Sequence, residues 1–223
     1  YFHNFNNNEI QFSAETYYKI LNGAADFEDG LHNYLVDNLE AYVATGKGLA
    51  YGFEMSIEKP SGRFNGRLSY NYGKSDYQID VINQGRWYPY RFDKTHSLTM
   101  LSNFQITKDL SISSTFLYST GRPVTLPEGY YHISGIPFPY WEGRNKYRLP
   151  DYHRLDLGIK YSPNFLIRWT RGLKTTIDVA LYNVYDRRNI HTINYNQGQN
   201  RLFEQIGQST YGFMPSININ VEF

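Results

Sequence analysis

Cysteine is absent from the 223 residues of this chain. Its absence excludes a disulfide framework, thiolate catalysis and cysteine-held metals. No apolar run approaches the roughly 18 residues a membrane helix needs, so helical spans are excluded as well. A spanning β-barrel is not excluded, because its strands carry an apolar residue only at every second position. An excess of one charge sign is also missing: 22 Lys and Arg stand against 21 Asp and Glu, a net charge of +1. No basic field calls for nucleic acid, and no nucleic-acid partner is expected. Trp is scarce, at three residues, while Tyr reaches 22. Tyrosine joins an apolar ring to a hydroxyl that wants water, which suits membrane interfaces, sugar-binding loops and soluble β-proteins alike. The chain opens at Tyr1, with neither an initiator Met nor an apolar signal segment. A processed start, or a piece of a longer polypeptide, is the expectation.

What the sequence has in quantity is period-two alternation. In the last stretch Phe213, Pro215, Ile217, Ile219, Val221 and Phe223 share one face, and Ser216, Asn218, Asn220 and Glu222 share the other. Successive strand side chains point to opposite sides, so this is a strand with one oily and one wet face. Seven further segments alternate in the same way: 10–20, 49–58, 64–73, 98–106, 110–119, 155–161 and 173–182. Two are looser, with Leu101 on the wet face and Ser114 on the oily one. Tight turns at Pro60-Ser-Gly62 and Thr107-Lys-Asp109 and a medium one over 162–172 separate long connections at 22–48, 74–95, 120–154 and 183–211. Long and short connections alternate, so a meander places every long loop at one end. The expected fold is all-β: an antiparallel up-and-down transmembrane β-barrel of about eight strands, spanning 1–223 as one segment. A soluble β-sandwich or lipocalin-like barrel also alternates, with the apolar face as core. Such folds rarely gather several long loops at one end.

Five stretches carry a resemblance: Ala14-Glu-Thr-Tyr-Tyr-Lys19, Tyr51-Gly-Phe-Glu-Met-Ser-Ile-Glu-Lys59, Arg91-Phe-Asp-Lys-Thr-His-Ser-Leu98, Tyr152-His-Arg-Leu-Asp-Leu157 and Leu181-Tyr-Asn-Val-Tyr-Asp-Arg-Arg-Asn189. With Thr120-Gly-Arg-Pro-Val124 and the terminal Phe223, their order resembles the C-terminal barrel strands of TonB-dependent outer-membrane receptors. The resemblance implies a barrel of about 22 strands plugged by an N-terminal domain. It further implies a cell-outer-membrane location in a Gram-negative bacterium and uptake of a siderophore, vitamin, oligosaccharide or peptide with energy transduced by TonB. The implied partners are outer-membrane lipid, the remaining strands and plug of the same receptor, TonB itself and the nutrient, with a surface lipoprotein lid left open. No plug-like stretch or TonB-binding segment is visible in these residues, so the chain is expected to be the C-terminal part of such a barrel. The alternative is a self-contained eight-stranded barrel, enzyme or anchor, with its interior filled by side chains. The charges of the wet faces, Glu54, Glu58, Arg67, Asp156, Lys160, Lys174, Asp178 and Glu222, suit either an internal ion-pair network or a wall facing a plug.

Signals for chemistry are poor, and no catalytic residue, metal site or cofactor is expected. The histidines His3, His32, His96, His132, His153 and His191 are scattered, without metal-pair spacing. His96 and His153, near Asp93 and Asp151, are expected to make loop-ordering hydrogen bonds at the rim rather than to catalyse. No nucleophile elbow accompanies them. Gly46-Lys-Gly48 lacks the phosphate-loop pattern, and Arg168-Trp-Thr-Arg171 reads as an interfacial Trp with flanking cations. The candidates for ligand contact are aromatic and polar residues of the long loops: Arg86, Trp87, Tyr88, Tyr90, Arg91, Tyr130, Tyr131, Tyr140, Trp141 and Tyr195. Aromatic faces beside amides and guanidiniums bind polar organic ligands by stacking and hydrogen bonding. The same aromatics could instead pack the loops on one another.

Overall fold

The computed structural model describes residues 1–5, 9–29, 38–163, 174–197 and 203–222. These form β1 (Phe2–Phe5), β2 (Ile10–Phe27), β3 (Val43–Lys59), β4 (Phe64–Gln78), β5 (Tyr88–Pro89), β6 (His96–Gln105), β7 (Leu110–Ser119), β8 (Pro123–Val124), β9 (Gly129–Ile133), β10 (Ile136–Tyr140), β11 (Tyr147–Arg148), β12 (Tyr152–Tyr161), β13 (Lys174–Tyr182), β14 (Ile190–Gln197), β15 (Phe203–Ser209) and β16 (Met214–Glu222). One antiparallel sheet runs in the order β1-β2-β3-β4-β6-β7-β12-β13-β16, with β5 added to β4. The pairs β8–β11, β9–β10 and β14–β15 lie in the long connections. Each wall strand pairs with the next wall strand in the chain, which makes the sheet an up-and-down meander. Among the described residues β1 and β16 do not pair with each other, so these residues form an open sheet and not a self-closed small barrel.

The register aligns the oily residues into continuous rows. Phe12 stands opposite Ile57, Ile57 opposite Leu68, Leu68 opposite Met100, Met100 opposite Phe116 and Phe116 opposite Leu155. A second row runs Phe64, Phe104, Ile112, Ile159, Val179, Ile217. A slip of one residue on any strand would send its whole apolar set to the other face, so the pattern fixes the register. Among the described residues no core covers these rows. Ile57, Leu68 and Met100 keep 46%, 41% and 38% of their surface open, and Phe64, Phe104 and Ile217 are exposed too. Among the described residues the buried hydrophobics are Ala24, Ile79, Ile82, Tyr88 and Leu149, all toward the loop end. A water-soluble sheet would leave an apolar face of this size wet. Lipid is the environment in which it is satisfied, as on the outer face of a membrane barrel.

The opposite face is polar and partly self-bonded. Ser13 and Ser56 hydroxyls lie 2.8 Å apart, and Asn71 donates to Glu54 at 2.7 Å. Arg154 pairs with Asp156 at 2.9 Å and Asn220 donates to Asp178 at 3.0 Å. Arg67 reaches Glu58 only at 4.0 Å. Charges of this face are thus satisfied mainly in local pairs and amide bonds. Tyr17 lies flat against the wall over two glycines: a Cβ on Gly52 or Gly73 would come within 2.8 or 2.6 Å of its hydroxyl oxygen.

Three features depart from the sequence-based expectation. The sheet has a ninth wall strand, β1, too short for its alternation to register as a pattern. The strands β2, β3 and β4 run past Ile20, Leu49 and Gly73 to Phe27, Val43 and Gln78. There the small residues Gly23, Ala24, Ala25, Gly46 and Gly48 blur the alternation while the backbone pairing continues. Finally, the connections 120–154 and 183–211 are not structureless but contain β8–β11 and β14–β15. Phe223, His32, Leu173 and the 168–171 stretch lie outside the described residues.

Candidate ligand-binding site

The described parts of the four long connections, 28–29 and 38–42, 79–95, 120–151, and 183–197 and 203–213, meet at one end of the wall. Buried polar groups tie them together. In the second connection Asn83, Gln84 and Gly85 take positive φ values of 51°, 58° and 69° in succession. Asn and Gly tolerate that region best. The turn aims the Asn83 side chain inward. Its amide donates to the carbonyls of Arg86 and Trp87, both at 3.3 Å, while its own backbone N–H donates to Asp29 at 2.8 Å. From the third connection the Arg144 backbone N–H donates to the Asn83 side-chain oxygen at 3.1 Å. The Arg144 guanidinium pairs with Asp26 at 3.0 Å and Asp29 at 3.3 Å. Asn145, buried, donates to the Pro89 carbonyl at 2.8 Å.

A second knot lies nearer the wall. Arg148 donates to the buried Asp93 carboxylate and to the Gly121 carbonyl at 2.9 Å. Asp93 also accepts from the Ser75 backbone at 2.9 Å and the Thr95 hydroxyl at 3.3 Å. Asp151 accepts from the Tyr118 hydroxyl at 2.7 Å and the Gly121 N–H at 3.1 Å. Those two bonds hold its carboxyl below the ordinary carboxylate range, the Tyr118 bond contributing most. Arg122 reaches the His191 carbonyl at 2.7 Å, which brings the fourth connection in. The hydrogen bonds of His96 and His153 are not made with Asp93 and Asp151, and the His96 bond joins two wall strands, not a loop. His96 bonds the Tyr70 hydroxyl at 2.7 Å and His153 the Tyr185 hydroxyl at 2.8 Å, because the two aspartates are already taken by Arg148 and Tyr118.

Two concavities open on this end. One of about 260 Å³ lies between Arg86, Trp87 and Pro89 on one side and Glu142, Arg144 and Lys146 on the other. A wider one of about 420 Å³ sits at the inner rim, lined by Tyr17, Asn71, Tyr90, Phe92, Lys94 and Ser97. The structure therefore divides the first predicted cluster. Arg86 and Trp87 face the loop concavity, the Trp87 indole being exposed. Tyr90 stacks on Tyr77 at 4.5 Å between ring centres and faces the inner rim. The Arg91 guanidinium lies over the Phe92 ring at 4.8 Å. Tyr88 is buried beside Ile79 and Ile82, and its hydroxyl donates to Asp26 at 3.2 Å. Burial, then the Asp26 charge, pushes that hydroxyl above the ordinary phenol range. Tyr88 thus packs the loop. Tyr130, Tyr131, Tyr140 and Trp141 are exposed on or beside the β9–β10 hairpin, where Tyr131 stacks on Phe138 at 5.7 Å. Tyr195 lies on β14. Lys146, at the base of the hairpin, pairs with Glu128 at 2.7 Å and Glu142 at 3.6 Å. The Lys146 hydrogen bond holds Glu128 below its ordinary range. Asp26, Asn83 and Arg144 carry no motif in the sequence, since the bonds that join them span 61 to 118 positions.

No protein-family model matches the chain, and no curated protein sequence is significantly similar to it. Solved structures are similar in fold. The ferripyoverdine receptor of the outer membrane of Pseudomonas aeruginosa aligns over 97% of this chain and 25% of its own, at 15% identity and a TM-score of 0.64. The ferric yersiniabactin uptake receptor FyuA of Yersinia pestis aligns over 96% and 28%, at 18% identity and 0.61. The siderophore receptor PiuA of Acinetobacter baumannii aligns over 97% and 26%, at 13% identity and 0.59. The chain spans about a quarter of the length of these receptors. All three are receptors rather than enzymes, and the fold of this chain is that of an outer-membrane receptor barrel wall.

Proposed function

We propose that this chain is the wall segment of a TonB-dependent outer-membrane receptor, and that the assembled receptor takes up a ferric siderophore. The observation that carries the reading is the apolar face, its rows in register across the sheet, with the described parts of all four long connections gathered at one end. A lipid-facing wall and a ligand-facing loop cap follow from that arrangement. The likeness in fold to three siderophore receptors supports the nutrient class, with a vitamin, oligosaccharide or peptide as the other candidates. Further strands of the same receptor close the sheet at β1 and β16, and a plug fills the space behind the polar face. TonB supplies the energy through a segment of that plug-bearing part. Arg86, Trp87, Tyr90 and Arg91, with the aromatics of the β9–β10 hairpin and Tyr195, form the ligand-contacting set, while Tyr88 supports them from below.

The test is direct binding of ferric pyoverdine, a ferric catecholate and ferric yersiniabactin to the complete purified receptor, followed by iron uptake in cells lacking it. Binding of at least one chelate, with uptake lost in its absence, is expected. A receptor that binds none of them, and whose loss leaves iron uptake unchanged, refutes the siderophore assignment.

A further inference from the structure

We infer that Arg144 is a positioning residue that sets the spacing between the two walls of the loop concavity. The inference rests on reading that concavity as a ligand site. Its two walls come from different connections, with Arg86 and Trp87 on one and Glu142, Arg144 and Lys146 on the other. Arg144 touches both sides of the joint. Its backbone N–H holds Asn83, whose amide in turn holds the carbonyls of Arg86 and Trp87. Its guanidinium is engaged by Asp26 and Asp29, and Asp29 also accepts the Asn83 N–H. The side chain of Asp26 is 7% exposed and that of Arg144 22%. Both terminal guanidinium nitrogens are therefore engaged by carboxylates at and just after the end of β2, although the residue also lines the concavity. Arg86 differs: the partner of its guanidinium is the neutral Gln84, at 2.9 Å, so it can turn its charge to an incoming anion.

The consequence is a division of labour. Three connections, separated by more than a hundred residues in the chain, are registered at one point, and the two contact walls inherit their spacing from it. A ligand that bridges Trp87 and Lys146 then meets a preformed gap and loses less freedom on binding.

The experiment places spin labels on Val81→Cys and Tyr147→Cys, one in each connection, in the complete receptor; this chain supplies no competing cysteine. The unliganded receptor should show one narrow distance distribution. Arg144→Gln should broaden it and weaken binding of the ferric chelate by about tenfold to a hundredfold. Arg144→Lys, which keeps the charge and one aspartate contact, should restore the narrow distribution in part. Arg86→Ala should weaken binding while leaving the distribution untouched. Retained heat-modifiable migration shows that each variant is folded, and Asp26→Asn with Asp29→Asn attacks the same joint from the other side. A narrow distribution in folded Arg144→Gln and in the double aspartate variant overturns the inference. So does a broad one with undiminished affinity. Should no chelate bind the unsubstituted receptor, the siderophore reading falls, while the distances still decide whether Arg144 sets the gap.

Discussion

Ile57, Leu68 and Met100 stand side by side on three wall strands with more than a third of each side chain uncovered. Asp93, at the end of the same wall, is almost fully buried and gathers Ser75, Thr95 and Arg148 around one carboxylate. The wall thus exposes its apolar groups and the loop cap buries charged ones, the reverse of a soluble domain. Each inversion has a physical reason. The wall needs no internal core because lipid covers one face and its backbone polar groups are satisfied strand to strand. The cap has only short strand pairs of its own, and its connections are further fixed by ion pairs and amide bonds whose partners are satisfied. Rigidity in the wall is spread over many weak contacts, while in the cap it sits in a few strong ones.

The sharpest way to break the comparison is to place a charge on the wall. Met100→Arg, mid-strand in the apolar row, should destabilise insertion by about 2–4 kcal/mol, as a cation does near the bilayer midplane. Ser113→Arg, on the polar face two strands' breadth or less away, should cost little. Urea titration of the receptor folded into lipid vesicles measures both. Equal costs at the two positions would mean that the apolar face does not meet lipid.

That face was readable from the sequence because period two is a local signal: each strand states its own two sides, and neighbours only have to agree. The cap was not readable for the opposite reason. Arg144 and Asp26 are 118 positions apart, and Arg148 and Asp93 are 55 apart, with nothing in either neighbourhood to announce the partner. Tyr88 shows the limit most clearly. Residue type and loop position suggested a ligand contact, and Tyr88 does line the loop concavity, but its packing against Ile79 and Ile82 depends on where β5 adds to β4. For His153 a hydrogen bond to a loop residue was readable, and its partner is Tyr185, whereas His96 bonds Tyr70 of the neighbouring wall strand β4, a pairing only the register reveals.

A smaller effect, confined to the cap, is expected from Asp93→Ala. Removing the carboxylate leaves the Ser75 N–H without its acceptor and Arg148 without its charged partner, with the Gly121 carbonyl as its remaining tie. The local cost should be about 2–3 kcal/mol, less than for a fully buried pair because Arg148 keeps about a third of its side chain in water. Hydrogen exchange should speed up at Ser75 and Gly121 and stay slow at mid-wall amides of β6 and β7. If the mid-wall amides loosen equally, the cap and the wall form one cooperative unit and the contrast drawn above fails.

The smallest expected effect comes from Asp151, and its sign can be fixed in advance. Hydrogen bonds from Tyr118 and the Gly121 N–H lower its folded-state pKa below the ordinary 3.8. A lowered carboxylate contributes stability above the unfolded pKa, and that contribution disappears as pH falls through the folded value. The Gly121 segment should therefore keep its exchange protection, corrected for intrinsic rates, from neutral pH down past 3.8 and lose it only below. Tyr118→Phe removes the larger cause of the shift, so the loss should move upward toward 3.8. Asp151→Asn should flatten the pH dependence altogether. Since Asp151 is exposed, the amplitude should be modest and the wall amides should not follow it. A transition at Gly121 that stays at the same pH in Tyr118→Phe would assign the tie to some other group, and the rim at β7 and β12 would then be ordered by the sheet alone.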